Sequence, residues 1–210
     1  MMLRQAEIKA IVFDLDGTLY VSERFEQVVW QSAARYAGDL LGVSAEEGGR
    51  RITALRQRLT EERGTLQTLA VAIEVMGGTV PDLHRRFAEE LEPRHHIEPD
   101  PRVTALVEGL GQCYNCWLLT NNNRTLTDKI LTTLGLESAF ERVITINDTW
   151  RPKPDESVLD EVLEALGHGP EQVLFVGDRY DIDLRLPAAR GCPVLHTTTV
   201  DDLMALAALL

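Results

Sequence analysis

Residues 8–20 read Ile8-Lys-Ala-Ile-Val-Phe13-Asp14-Leu-Asp16-Gly-Thr-Leu-Tyr20, a short apolar run that ends abruptly in two carboxylates. Apolar residues in close succession, not alternating with polar ones, suit a strand covered on both faces. A carboxylate that closes such a run loses hydration, so Asp14 needs a cation or hydrogen-bond donors beside it. The fold follows from how often this pattern recurs.

Similar short runs occur at Tyr114–Leu119, Arg142–Ile146, Gln172–Val176 and Pro193–His196. Between them lie amphipathic stretches at Arg102–Gly111, Arg124–Gly135, Asp155–Gly167, Asp183–Gly191 and Val200–Leu210. The first four end at or beside a glycine, the residue that suits a helix C-terminus. Strands alternating with helices predict a doubly wound α/β core, a parallel sheet of Rossmann-like type. From Val21 to about Pro93 the text changes: no run suits a strand, and apolar residues recur at helical spacing. Val28, Val29, Ala33, Tyr36, Leu40 and Leu41 trace one stripe, and Ile52, Leu55 and Leu59 another. Gly42, Gly48-Gly49, Gly64 and Gly77-Gly78 punctuate three or four helices, the last opened by Thr79-Val-Pro81-Asp-Leu83. The expected organisation is an α/β core from residues 1–20 and 97–210, with 21–96 inserted after the first strand as a helical domain.

The chain has 210 residues, 21 Lys plus Arg against 33 Asp plus Glu, and a formal net charge of −12. Such a surface repels nucleic acid and anionic membranes, so neither is expected as a partner. To handle an anionic small molecule the chain must invert the sign locally, most simply with a bound cation. The apolar part of Met1–Asp16 is too short for a secretory signal, no stretch approaches a membrane span, and three cysteines fit a reducing cytoplasm. Cys113 and Cys116 have CxxC spacing, but they lead into a strand, where three residues apart means opposite faces. His95-His96 reads as a solvated pair in a proline-bounded linker.

Ligands of open parallel sheets bind beyond the carboxyl ends of the strands. Those ends carry Asp14 and Asp16, then Thr120-Asn-Asn-Asn123, then Arg151-Pro-Lys153-Pro154, then Gly177-Asp178-Arg-Tyr-Asp181-Ile-Asp183. Any one has a bland explanation: Asp178 or Thr120 could cap the next helix, and Lys153 could be a solvated loop charge. Together they are the parts of a magnesium site beside a phosphate pocket, because only a divalent ion makes such crowded acids favourable.

The motif Asp14-Leu-Asp16-Gly-Thr-Leu19 after an apolar strand resembles the signature of the haloacid dehalogenase-like hydrolase superfamily. Leu118-Leu-Thr120-Asn is similar to its second motif, Lys153-Pro to its third, and Val176-Gly-Asp178 with a downstream Asp to its fourth, in the same order. The insertion corresponds to that family's helical cap of the first type. The resemblance implies a cytoplasmic, Mg²⁺-dependent phosphatase acting on a small phosphorylated metabolite. Asp14 would attack phosphorus and carry the aspartyl-phosphate, and Asp16 would serve as general acid and base and ligate Mg²⁺ through its carbonyl. Thr120 and the amide of Asn121 would hold phosphate oxygens, and Lys153 would neutralise charge between nucleophile and phosphoryl group. Asp14 and Asp178 would ligate the metal, and a second acid, Asp183 or in reserve Asp181, would complete the site.

The presence of Asp16 and Asp178 argues against the dehalogenase subgroup, which lacks both features. A phosphomutase shares every core motif, and a catalytically silent phosphate- or metal-binding module would have no use for the second acid. The insertion offers Val21, Arg24 and Phe25 near the substrate, and Arg50, Arg51, Arg56, Arg58, Arg85 and Arg86 for a second anionic group or simply for a solvated helix face. The particular phosphomonoester (phosphoglycolate, a nucleoside monophosphate or a sugar phosphate) and the oligomeric state are not legible.

Overall fold

The computed structural model describes residues 8–210; residues 1–7, on which the search for a secretory signal partly rests, lie outside the described residues. The strands are β1 (Ala10–Phe13), β2 (Asn115–Leu119), β3 (Arg142–Ile144), β4 (Val173–Gly177) and β5 (Val194–His196). They form one sheet in the order β3-β2-β1-β4-β5, with every pairing parallel. Phe13 pairs with Leu118 on one side and Val176 on the other. Continued by one residue, this register sets Asp14 between Leu119 and Gly177. The sheet order reverses at β1, which marks its carboxyl end as the place for a ligand.

β1 and β4 are buried along their whole length and β2 from Cys116 onward, while the edge strands β3 and β5 are only partly covered. Ala10, Val12, Trp117, Leu119, Val173 and Phe175 pack with Val158, Leu159 and Val162 in one cluster. Val158, Leu159 and Val162 belong to the helix Glu156–Leu166, while the helix Pro101–Gly111 packs on β2. Towards residue 210, Leu203, Leu206 and Leu210 are buried. Leu203 and Leu206 lie on two short helices (Val200–Met204 and Leu206–Leu209) rather than one, and Leu210 follows the second. Cys113 is exposed and precedes β2, whereas Cys116 lies within it; burial, then the charge of Glu141, pushes the Cys116 thiol up to about 12.

The described residues divide into two compact units, one comprising those up to Ser22 with Ile97–Leu210, the other Glu23–His96. The second holds helices α1 (Glu23–Leu41), α2 (Ala45–Arg63), α3 (Leu69–Val75) and α4 (Val80–Glu90) around Phe25, Ile52, Ile73, Leu83 and Phe87. Thr79 caps α4, accepting from the Asp82 N–H. Two expectations fail in this unit. Gly48 and Gly49 do not break a helix; they sit inside α2. A Cβ at Gly48 would lie 2.5 Å from the Ala34 carbonyl oxygen and 2.5 Å from the Gly38 nitrogen, so glycine lets α1 and α2 touch backbone to backbone. His96 is half-buried with its ring 6.3 Å from that of Phe25, and only His95 is exposed. Among the described residues no helix is long and apolar enough to cross a membrane.

Candidate active site

The strand register assembles the site. The Asp14 N–H donates to the Val176 carbonyl at 2.9 Å, extending the β1–β4 ladder by one rung, and the Thr120 N–H extends the β2–β3 ladder by donating to Ile144 at 3.0 Å. Both residues are buried, at 3 % exposure each. Asp16 follows in a tight turn, where the Gly17 N–H donates to the Tyr20 carbonyl at 2.9 Å. Gly17 has φ +81°, and a Cβ there would stand 2.4 Å from Asp178 Oδ2. Left-handed backbone and close approach both demand glycine. At the end of β4 a Cβ on Gly177 would lie 2.6 Å from the Asp183 Cβ. Asp183 is brought there by a wide π-type turn, Tyr180–Leu184, the widened kind of helical turn that recurs at functional sites. The fourth stretch expected as a plain helix, Asp183–Gly191, therefore begins with this turn and becomes α-helical only at Arg185.

Three carboxylates, Asp14, Asp178 and Asp183, each present an oxygen such that all three lie within 4.8 Å of one another. Asp181 is half-buried and outside this group. Lys153 Nζ stands 2.6 Å from Asp14 Oδ1, 2.6 Å from Asp183 Oδ1 and 2.8 Å from the Leu119 carbonyl. Asn121 fixes the loop that carries it: Asn121 Nδ2 donates to the Lys153 carbonyl at 3.1 Å, and the Lys153 N–H donates to Asn121 Oδ1 at 2.7 Å. The Asp16 carboxylate points elsewhere. It accepts from the Tyr20 hydroxyl and, at 2.7 Å, from Asn122 Nδ2.

Burial and charge crowding shift the pKa values of these groups. Burial, then the charge of Asp183, raises the Asp14 pKa against the opposing pull of Lys153. Burial, then Asp14, pushes Asp16 up to about 6 and Asp178 up to about 7. Burial works against the charge on Lys153, yet Asp14 and Asp183 outweigh it and raise its pKa. Arg179, quoted in the sequence but given no role there, supplies a second cation. Its Nε lies 3.5 Å from Asp178 Oδ1 and 3.8 Å from Asp183 Oδ2, and its pKa is raised by Asp14, Asp183 and Asp178 against burial. At the end of β5, His196 Nε2 donates to the Asp178 carbonyl at 2.6 Å. Nothing in the spacing singled out His196, Asn122 or Tyr20; each acts through a contact made only by folding.

The donor set fits a hard divalent cation. It is all oxygen, and Asp178 Oδ1 is buried without accepting a hydrogen bond. The six arginines expected to serve a second anionic group or a solvated helix face make contacts within the helical unit. Arg50 pairs with Glu46 and Glu47, Arg51 with Glu47, Arg58 with Glu62, Arg85 with Asp82, and Arg86 with Asp39 and Glu90. Arg56 donates to the Gln67 carbonyl at 2.8 Å.

A doubly wound parallel core whose central strand ends in buried Asp14 against Lys153 defines a class, and comparison gives it a family. Residues 8–190 match the haloacid dehalogenase-like hydrolase family, to which the chain belongs. It is 30% identical over 208 residues to a phosphoglycolate phosphatase of Salmonella typhimurium, covering 91% of this chain and 81% of that one. It is 26% identical over 196 residues to a glyceraldehyde 3-phosphate phosphatase of Methanopyrus kandleri, covering 85% and 78%. A phosphatase structure from Thermococcus onnurineus shares the fold with a TM-score of 0.63 and 20% identity, covering 95% of this chain and 98% of that one.

Proposed function

We propose that this chain is a Mg²⁺-dependent phosphatase that hydrolyses a small phosphomonoester through a phosphoryl group carried on Asp14. The observation that carries the reading is the buried Asp14 carboxylate, held 2.6 Å from Lys153 Nζ beside Asp178 and Asp183. Asp14 attacks phosphorus, and Lys153 offsets the charge that accumulates between the two anions. Thr120 lies one residue past the strand neighbour of Asp14, so its hydroxyl suits a phosphoryl oxygen. The Asn121 side chain is committed to Lys153, which leaves its backbone N–H for the same task. Asp16 gives a proton to the leaving alkoxide and takes one from the attacking water; a carboxyl pushed up to about 6 suits both duties near neutral pH.

Asp14, Asp178 and the Asp16 carbonyl would hold Mg²⁺, with Asp183 beside them. When bound, the ion supplies Lewis-acid neutralisation of the phosphoryl oxygens. The relatives at 26–30% identity are named for short-chain phosphomonoesters, so a short-chain phosphorylated metabolite of the cytoplasm is the substrate class we favour. The Glu23–His96 unit serves as the cap that selects among them. The test is release of inorganic phosphate from an aryl phosphate with Mg²⁺, followed by a panel of phosphorylated metabolites. Turnover that Asp14→Asn abolishes supports the reading. Release equal in the Asp14→Asn variant overturns it, and phosphate moved to another carbon instead of released would make the chain a mutase.

A further inference from the structure

The Asp16 side chain is held from two sides by groups that no motif names. Tyr20, 5 % exposed, donates its hydroxyl to Asp16 Oδ1, and Asn122 donates Nδ2 to Oδ2 at 2.7 Å across 106 residues of sequence. Asn122 is itself mounted rigidly. Its N–H donates to Thr120 Oγ1 at 3.1 Å, and its carbonyl accepts from the Ile146 N–H at 3.0 Å, at the start of the short helix Ile146–Thr149. Tyr20 is held by the turn that brings its carbonyl to the Gly17 N–H.

From this geometry we infer that Asn122 is a positioning residue for Asp16, acting with Tyr20 to fix the plane of its carboxyl group. A carboxyl group has two lone pairs on each oxygen. One donor on each oxygen leaves one lone pair apiece, so the two donors dictate the directions in which Asp16 can present or accept a proton. A side chain with free rotation about its last bond would spread that proton over many directions. Proton transfer needs the acid within hydrogen-bond reach and aligned, so the clamp matters most when the leaving group is basic and cannot depart without its proton. The link through Thr120 Oγ1 ties the orientation of the acid to the residue proposed to hold the phosphoryl group. This inference rests on the phosphatase reading with Asp16 as general acid.

The test is the leaving-group dependence of kcat/KM with Mg²⁺, using aryl phosphates of graded leaving-group acidity and one alkyl phosphate. The enzymes compared are wild type, Asp16→Asn, Asn122→Ala and Tyr20→Phe. General acid catalysis contributes roughly 10²–10⁴-fold, so Asp16→Asn should lose about that much on the alkyl ester and far less on the most acidic phenol. Asn122→Ala should lose at least about tenfold on the alkyl ester and no more than about threefold on the acidic phenol, a partial form of the same signature. Tyr20→Phe, which keeps the buried ring, should steepen the dependence in the same sense. A merely structural role would lower all substrates alike. Equal losses across the series in Asn122→Ala and Tyr20→Phe, or none, with Asp16→Asn steep, overturn the positioning role alone. An unchanged slope in Asp16→Asn removes the acid assignment and the inference with it.

Discussion

Lys153 and Asp14 form a buried ion pair, Nζ to Oδ1 2.6 Å, with side chains only 8 % and 2 % exposed. The same ammonium neutralises Asp183 at 2.6 Å. Breaking a buried pair by removing one partner costs about 3–5 kcal/mol, because the other charge stays buried and uncompensated. Lys153→Met should therefore lower the stability of the metal-free protein by several kcal/mol in denaturant melts and abolish phosphate release. Lys153→Arg should not restore turnover, since a planar fork does not fill the place of a compact ammonium. Unaltered melts in Lys153→Met would show that the pair contributes nothing to the fold.

The site should also make stability depend on pH. Burial and the charge of Asp14 push Asp16 up to about 6 and Asp178 up to about 7, above the ordinary value of 3.8. A raised folded-state pKa means the folded protein holds protons that the unfolded chain has released. Their stabilising contribution is present below about pH 4 and is lost as pH rises through 6 to 7. Mg²⁺ requires the ionised carboxylates, so its affinity should climb over the same range with release of protons. In chelator, Asp178→Asn should gain on wild type as pH rises from 5 to 7.5, by thermal melting. A difference that stays flat with pH would contradict the assignment.

His84 runs the other way. It is 6 % exposed, and burial lowers its pKa to about 4 from 6.5. The unfolded chain takes up the proton first on acidification. Stability is whole above about pH 6.5 and falls as pH drops towards 4, by up to about 3 kcal/mol. Hydrogen exchange in the Glu23–His96 unit should loosen between pH 6.5 and 4.5 in wild type and much less in His84→Gln. Equal loosening in both would place the acid sensitivity elsewhere.

Two glycines should fail in different ways. Gly17→Ala forces a side chain into φ +81° and to 2.4 Å from Asp178 Oδ2, so Mg²⁺ affinity should fall at least about tenfold while the chain still folds. Gly48→Ala puts its methyl 2.5 Å from two backbone atoms of α1 and should cost about 1–3 kcal/mol of stability with Mg²⁺ affinity unchanged. Reversal of these two outcomes in calorimetric titration and melting would refute the packing account.

The sheet was legible because its three central strands are buried and write that burial as consecutive apolar residues. Asp14, Thr120, Lys153 and Asp178 were legible because they stand at strand ends or just beyond, where a parallel sheet collects its ligands. Spacing favoured Asp183 and left Asp181 in reserve; what separates them is a wide π-type turn and Gly177 yielding space to the Asp183 side chain. Gly48-Gly49 misled for a related reason. A helix-breaking residue and a residue that permits close helix packing look alike until a neighbouring helix is known. Asn122 was hidden among three consecutive amides, and which of them faces Asp16 is set by tertiary structure alone.

The central claim is that Asp14 carries the phosphoryl group. Acid quenching during turnover with excess substrate and Mg²⁺, followed by peptide mapping, tests it most directly. The account predicts a phosphoryl adduct on the peptide containing Asp14, accumulating when Asp16 is replaced by Asn and an acidic phenol is the leaving group, because the water that attacks phosphorus in the second step then lacks its base. Full wild-type turnover with that peptide unmodified in both proteins would contradict it.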